Sequence, residues 1–455
     1  MTHRIDRQII ELVLPTGVDA EERSRCAAAL FEEKVLPHLD ETFTRLAPDD
    51  RILRIPQLQI DLGVINPEDW ERHFVESCLA QMRAALRDFP TAGALDAPQP
   101  AGVVLNPEED ARQILLFFLE KGRLPWHASG CRLSALETLL SGSFPAPFAR
   151  ALSDLLRRRP EALQRLIWQF SLTWTQALFE KIYCLSDGWI AQTLNQMRSL
   201  QPYLPFDTQL QEAGGPLWLL CRNLLRVRAD ELFDLSPEQA ARRCVGMASD
   251  DPHVAPASPT TEAVDAQAPF STSSVEQFEA SQPQETSLGL AVENAGIVLL
   301  GPYLQAFFDE LGLSQGDSFV EQMAQYRAAY LLYFLATGEE QPEEPVLLLQ
   351  KILCGLPQDA PIPAYIPLSA AEKAESLNLL EAVTRNWTAL KNTSPNGLRQ
   401  GFLQRPGSLY DQTGADQIRL LRIERRGQDL LLDRLPWSYS MIKLPWMKSL
   451  LQVEW

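Results

Sequence analysis

Between residues 1 and 90 the apolar positions switch between two periods. Ile5 to Leu14 is rich in β-branched and apolar residues and stops at Pro15-Thr16-Gly17, a turn signal, so a strand is predicted there. Asp19 can then cap a helix. In it Leu36, Leu39, Phe43 and Leu46 recur at spacings of three and four, an apolar stripe that Pro37 is expected to kink or divide. In RILRIPQLQIDLG, Leu58, Ile60 and Leu62 alternate with Gln57, Gln59 and Asp61, the period of a half-buried strand that Gly63 ends. Asn66-Pro67 supplies a cap and a first-turn proline for a second helix, along which Trp70, Phe74 and Cys78 fall at four-residue steps. Residues 1–90 therefore read as an N-terminal β-α-β-α domain.

A Pro/Ala/Gly stretch over 91–104 leads to a helical domain at 105–245. Asn106-Pro107 repeats the cap-plus-proline signal, Glu108, Glu109 and Asp110 suit the positive end of a helix dipole, and Gly122 stops the helix. Arg157-Arg158-Arg159 reads as a solvated helix end rather than a nucleic-acid patch. Residues 246–288 differ: they are Ser, Thr, Ala, Pro, Gln and Glu with few large apolar groups, and no Lys or Arg occurs between Arg243 and Arg327. Such a composition cannot bury enough surface to offset ordering entropy, so a disordered acidic linker is predicted. In the last domain, 289–455, Ile297–Leu311, Phe319–Ala336, Val346–Leu353 and Glu372–Leu390 are helical in pattern. Ile418 to Glu424 and the alternation of Leu451, Val453 and Trp455 with Gln452 and Glu454 then predict strands. The fold class expected is mainly α with small α+β elements, the C-terminal helices being closed by a small antiparallel sheet.

The 455 residues are 45% apolar and 22% charged, an ordinary globular balance, but 59 acidic against 41 basic side chains give a net charge of −18. Phosphate repels such a chain, so neither nucleic acid nor an anionic membrane is an expected partner. A basic protein surface, such as the lumen of a tube, is compatible with the charge, and so is simple solubility. The opening MTHRIDRQIIELVLP lacks an apolar core followed by a small-residue cleavage site, and no apolar run is long enough to span a bilayer, so a cytoplasmic protein is expected.

Candidate chemistry adds little. The five histidines, at 3, 38, 73, 127 and 253, include no i, i+4 pair, the seven cysteines form no C-x-x-C, and no Walker loop, nucleophile elbow or dinucleotide fingerprint appears. The cysteines read as small buried apolar groups. Glu339, Glu340, Glu343 and Glu344, broken by Pro342 and Pro345, lack the ligand spacing of a calcium loop and read as a solvated acidic loop. No catalytic residue, cofactor or metal site is assigned.

What stands out is Leu-Pro-Trp, which recurs at 124–126, 435–437 and 444–446. Trp126, Trp437, Trp446 and Trp455 are candidates for a docking surface or for a core-filling cap, since tryptophan dominates interface hot spots and equally fills cores. Leu115–Gly122 (LLFFLEKG) echoes Leu331–Gly338 (LLYFLATG), through duplication or through coincidence between two helices ending in glycine.

With these residues in place, the chain resembles the contractile injection system tape measure proteins of extracellular, phage-tail-like particles of the antifeeding-prophage and virulence-cassette type. The resemblance rests on HRIDRQIIELVLP, RILRIPQLQIDLG and LLFFLEKGRLPWHA. It also rests on a C-terminal series that runs from NAGIVLLGPYL to RIERRGQDLLLDRLPWSYSMIKLPWMKSLLQVEW. It implies a non-enzymatic structural protein that determines tube length during assembly. Its partners would be inner tube, baseplate or terminal cap proteins. It would be found in the cytoplasm during assembly and inside any released particle. An assembly chaperone or cargo-loading adaptor of the same particle is the alternative.

Overall fold

The computed structural model describes residues 3, 5, 8–14, 18–46, 52–55, 58–65, 69–87, 103–142, 144–199, 215–226, 236–249, 289–390, 393–411 and 418–455. The expected linker therefore lies outside the described residues from 250 to 288. Among the described residues two compact units are distinguished, one up to Gln113 and one from Ile114 to Trp455.

In the first unit, Asp19 caps α1 (Ala20–Leu30) by accepting the Glu21 and Glu22 N–H groups at 3.0 and 3.1 Å. The helix passes through a π turn, Phe31–Val35, into α2 (Leu36–Leu46). Pro37 has no N–H, so the preceding turn widens and the Leu36 N–H reaches Phe31 O instead. The wide turn also rotates the apolar face. Ala27, Phe31, Val35 and Leu39 are buried, whereas Leu36, on the stripe read from sequence, is 38% exposed. Against this face pack Phe74, Cys78 and Met82 of α3 (Trp70–Arg87).

Residues 8–14 and 58–65 carry no strand pairing among the described residues, although Ile10, Leu12, Ile60 and Leu62 pack against the same core. Period-two alternation needs only an extended backbone with one buried face, and it names no pairing partner. The ladder present in this unit joins β1 (Ile52–Arg54) to β2 (Val103–Leu105), antiparallel, with Leu53 opposite Val104. Arg54 holds the start of α4 (Pro107–Lys121) through Asp110 and through Gln113 at 2.8 Å.

The second unit begins within α4. Among the described residues it continues with α5 (Leu133–Leu139), α6 (Ala146–Arg158), α7 (Pro160–Gln169), α8 (Leu172–Ile182), α9 (Trp189–Ser199), α10 (Gly215–Arg226) and α11 (Pro237–Ser249). Most bury one stripe, as Phe148, Leu152 and Leu156 do on α6. The C-terminal body then opens with β3 (Leu290–Val292) and a wholly buried 3-10 turn, Ala295–Leu300, leading into α12 (Gly301–Glu310). After a short hairpin, β4 (Ser314–Gln315) and β5 (Ser318–Phe319), comes α13 (Gln322–Thr337). It is buried almost all round from Ala328 to Ala336, as a central core helix must be. Then come α14 (Leu348–Leu353), α15 (Ala370–Asn386) and α16 (Pro395–Leu398), the last running into a π turn, Arg399–Leu403.

The closing sheet has the order β3-β6-β7-β9-β8, with β6 (Gly407–Asp411), β7 (Arg419–Ile423), β8 (Met441–Ile442) and β9 (Leu451–Glu454). It is mixed, which corrects the antiparallel sheet expected: β9 runs parallel to β7, with Leu421 opposite Val453. The long connection from Glu424 to Leu450, through a 3-10 segment at Gly427–Arg434, gives the chain the crossover that a parallel pair requires. Alternation does set the faces, for Leu451 and Val453 are buried and Gln452 and Glu454 exposed. It carries no information on strand direction.

Gly296 lies so close to the backbone of Phe402 that a Cβ would overlap its carbonyl oxygen, whereas a Cβ at Gly401 would meet nothing within 4 Å. Gly296→Ala is expected to cost at least about 1–3 kcal/mol in urea unfolding, the usual cost of overpacking. Gly401→Ala should leave stability within about 1 kcal/mol of the parent.

Candidate functional site

Two helix ends in the second unit are built alike. A helix leaves its last carbonyls unpaired at the negative end of its dipole, and a guanidinium supplies five donors to meet them. At the end of α4, Gly122 turns at φ +70 and donates to Phe118 O at 2.8 Å. At the end of α13, Gly338 turns at φ +82 and donates to Phe334 O at 2.7 Å. Arg165 of α7 donates to Leu119 O, three residues before the first glycine, and lies 5.9 Å over the Phe118 ring. Arg399 donates to Leu335 O at 3.0 Å, three residues before the second glycine, and lies 5.5 Å over the Phe334 ring. The echo between Leu115–Gly122 and Leu331–Gly338 thus extends to a shared capping arrangement. Glycine is required in both turns by its positive φ. At Gly122 a Cβ would also strike the Arg165 guanidinium and the Glu344 carboxylate.

Arg165 is completely buried and does more than cap. Its Nη2 donates to Asp359 O, and its Nε donates to Glu344 Oε1 at 2.9 Å. The same oxygen accepts from Lys351 Nζ of α14 at 2.6 Å, and Glu344 and Lys351 are each 1% exposed. One carboxylate therefore holds two buried cations. Burial pushes the Lys351 ammonium below the ordinary lysine value, and the adjoining Glu344 carboxylate acts in the opposite direction. Neutral bonds extend the same seam: Gln169 Nε2 donates to Ile362 O at 2.6 Å, Gln169 Oε1 accepts the Glu344 N–H at 3.3 Å, and Glu343 Oε2 accepts the Leu133 N–H at 3.0 Å.

The acidic run is consequently not a uniformly solvated loop. Glu339 and Glu340 are exposed, but Glu344 opens a 3-10 turn, Glu344–Leu347, with Pro345 in its first positions, and the Glu344 side chain faces the core. Sequence reasoning missed Arg165 as well. A signal existed, since Arg165 sits beside Leu166 and within a turn of Ala162 and Leu163, on the apolar face of α7.

The C-terminal tryptophans lie on one core. The Trp437 indole N–H donates to Leu299 O at 2.9 Å, with its ring edge-on to Tyr303. That of Trp446 donates to Leu353 O at 2.8 Å, with its ring 4.6 Å from that of Phe319. Trp455 donates to Asp429 Oδ2 at 3.0 Å, and Asp429 in turn pairs with the buried Arg405, whose guanidinium lies 5.7 Å over the Trp455 ring. Trp126 stands apart in the 3-10 turn Trp126–Ala128, edge-on to His127. Trp387, which sequence reasoning did not single out, is wholly buried and donates to Leu431 O at 3.2 Å.

Among the described residues, no group of three or more His, Cys, Asp or Glu side chains could hold a metal ion, and no helix is long and apolar enough to cross a membrane. No disulfide joins the seven cysteines; Cys78, Cys221, Cys244 and Cys354 are buried as expected, Cys26 and Cys131 are half-buried, and Cys184 is exposed, which departs from the buried role expected of all seven.

Among known protein families, the one described as contractile injection system tape measure protein matches residues 2–455. The chain belongs to this family. No curated protein and no solved structure matches it. The match runs through both compact units, so the buried charge cluster and the C-terminal tryptophans lie within the matched family region.

Removing Glu344 leaves two buried cations without their counter-ion, whereas removing Lys351 leaves a balanced Arg165–Glu344 pair. Glu344→Ala is expected to destabilise this tape measure protein by about 3–5 kcal/mol in denaturant unfolding, and Lys351→Met by clearly less.

Proposed function

We propose that this tape measure protein determines tube length while a contractile particle is assembled, and that it catalyses no reaction. The observation that carries the reading is the family match across residues 2–455. Its partners on this reading are inner tube, baseplate or terminal cap proteins, met in the cytoplasm during assembly. The net charge of −18 favours a basic protein face such as a tube lumen.

Geometry constrains how such a measure would work. One continuous helix of this chain would span roughly 680 Å at about 1.5 Å per residue. The 33 prolines and the locked second unit argue against that form. We infer instead that the compact units act as anchors, with the tryptophan cap closing the C-terminal one. The segment 250–288 supplies extensible length, which suits a composition poor in large apolar residues.

Deletion of residues 250–288 tests this. Extended at about 3.3 Å per residue, the segment spans roughly 130 Å. Electron microscopy of particles assembled with the deleted chain should show a uniform shortening of that order. Unchanged length with normal particle numbers would contradict the proposed role of the segment.

A further inference from the structure

A cleft of about 430 Å³ in the second unit is lined by four cationic side chains, Lys121, Arg123, Arg419 and Lys448, and by one carboxylate, Asp359. That volume falls within the range of about 300–1,000 Å³ typical of ligand clefts. The lining is assembled by constraints already described. Lys121 and Arg123 flank the Gly122 turn, Lys121 also meeting Glu120 Oε1 just outside the lining at 3.1 Å and Arg123 lying 5.0 Å over the Phe117 ring. Arg419 opens β7, its N–H donating to Leu450 O at 2.9 Å, and the parallel register sets it opposite Leu451. Lys448 sits in the turn before β9, where its carbonyl accepts from Lys443 Nζ at 2.9 Å. Gly355, at φ +74, lets the turn after α14 approach that segment, since a Cβ there would come within 2.6 Å of Trp446 O. The carboxylate of Asp359 is also engaged by a cation outside the lining, Arg159 Nη1, at 3.8 Å.

The cleft is thus locally positive on a chain of net charge −18. Four cations in one concavity focus the potential there, while the rest of the protein repels negative partners. Its remaining wall combines apolar Ile352, Leu356 and Pro357 with the neutral polar Gln358 and Ser449, and no aromatic ring lines it on which a nucleobase would stack. Asp359 opposes a compact multiply charged phosphate. A peptide with spaced carboxylates can meet the cations one by one and lay its methylene groups against Leu356 and Pro357.

We propose that this cleft binds an acidic peptide segment of a partner protein through at least two of its carboxylates. The unfavourable charge of the remaining surface favours the cleft over the rest of the chain, which gives the contact position and orientation more than raw affinity. The site is independent of the role assigned to residues 250–288.

The test is fluorescence anisotropy with a labelled hexaglutamate peptide and the full-length chain at low and moderate salt. Saturable binding that weakens with salt is expected. Lys121→Gln and Lys448→Gln should each weaken it by about fivefold or more, and together by more than either alone, while Lys34→Gln, on the exposed side of the π turn in the first unit, should change it less than about twofold. Circular dichroism establishes that each variant is folded. The proposal is overturned by an absence of saturable binding or by equal loss with Lys34→Gln. It is equally overturned if tripolyphosphate binds at the cleft and the peptide does not, which would make it a phosphate site.

Discussion

The second unit depends on a single carboxylate oxygen. Glu344 Oε1 accepts from Arg165 and from Lys351, one supplied by α7 and the other by α14. Taking these three charges out of water costs several kcal/mol per ion, and only close contact and complete hydrogen bonding offset it. The surroundings meet that demand on one side of the carboxylate, while Glu344 Oε2 is buried without a hydrogen-bond partner among the described residues. Arg165 also donates to Leu119 O and Asp359 O, and Gln169 binds the Glu344 backbone. Such a cluster adds little net stability over apolar packing, but it strongly penalises any arrangement in which the Glu344 carboxylate is withdrawn from its two cations. It acts as a register pin between the helices after Ile114 and the C-terminal body.

The same arginine links the pin to helix termination. Arg165 ends α4 as Arg399 ends α13, each through the carbonyl three residues before a left-handed glycine and each over the ring of the preceding phenylalanine. At α4 the cap is joined to Glu344. At α13 Arg399 is held by the Asn396 side chain at 2.9 Å instead, and burial pushes its guanidinium pKa below the usual arginine value. Two helix ends built by one rule, only one of them tied across the unit, give the fold a symmetric device with an asymmetric use. The turn at Gly122 also places Lys121 and Arg123 in the cationic cleft, so the pin and the cleft share a foundation.

Much of this was legible in the amino-acid pattern, and the failures have physical causes. Helices in the C-terminal body follow their apolar runs because burial of a whole run requires the backbone to satisfy itself. Leu36 was misplaced because a π turn at Phe31–Val35 shifts the phase that a uniform period assumes. The parallel placement of β9 was invisible because alternation encodes faces and not direction. Glu344 was read as solvated along with Glu339, Glu340 and Glu343, since a run of carboxylates between prolines is ordinarily surface, and its partners Arg165 and Lys351 come from other helices. Only tertiary structure brings the three together. The tryptophans were visible as candidates, yet which atoms they bond depends on carbonyls such as Leu299 O and Leu353 O, far away in sequence.

The central claim is that Glu344 makes the helices after Ile114 and the C-terminal body one cooperative structure. Native-state hydrogen exchange on the intact chain tests it most directly. The account expects the slowest amides of α7 and α14 to exchange through one shared opening of equal free energy. An α7 that exchanges through a separate opening, several kcal/mol below that of α14, would contradict it.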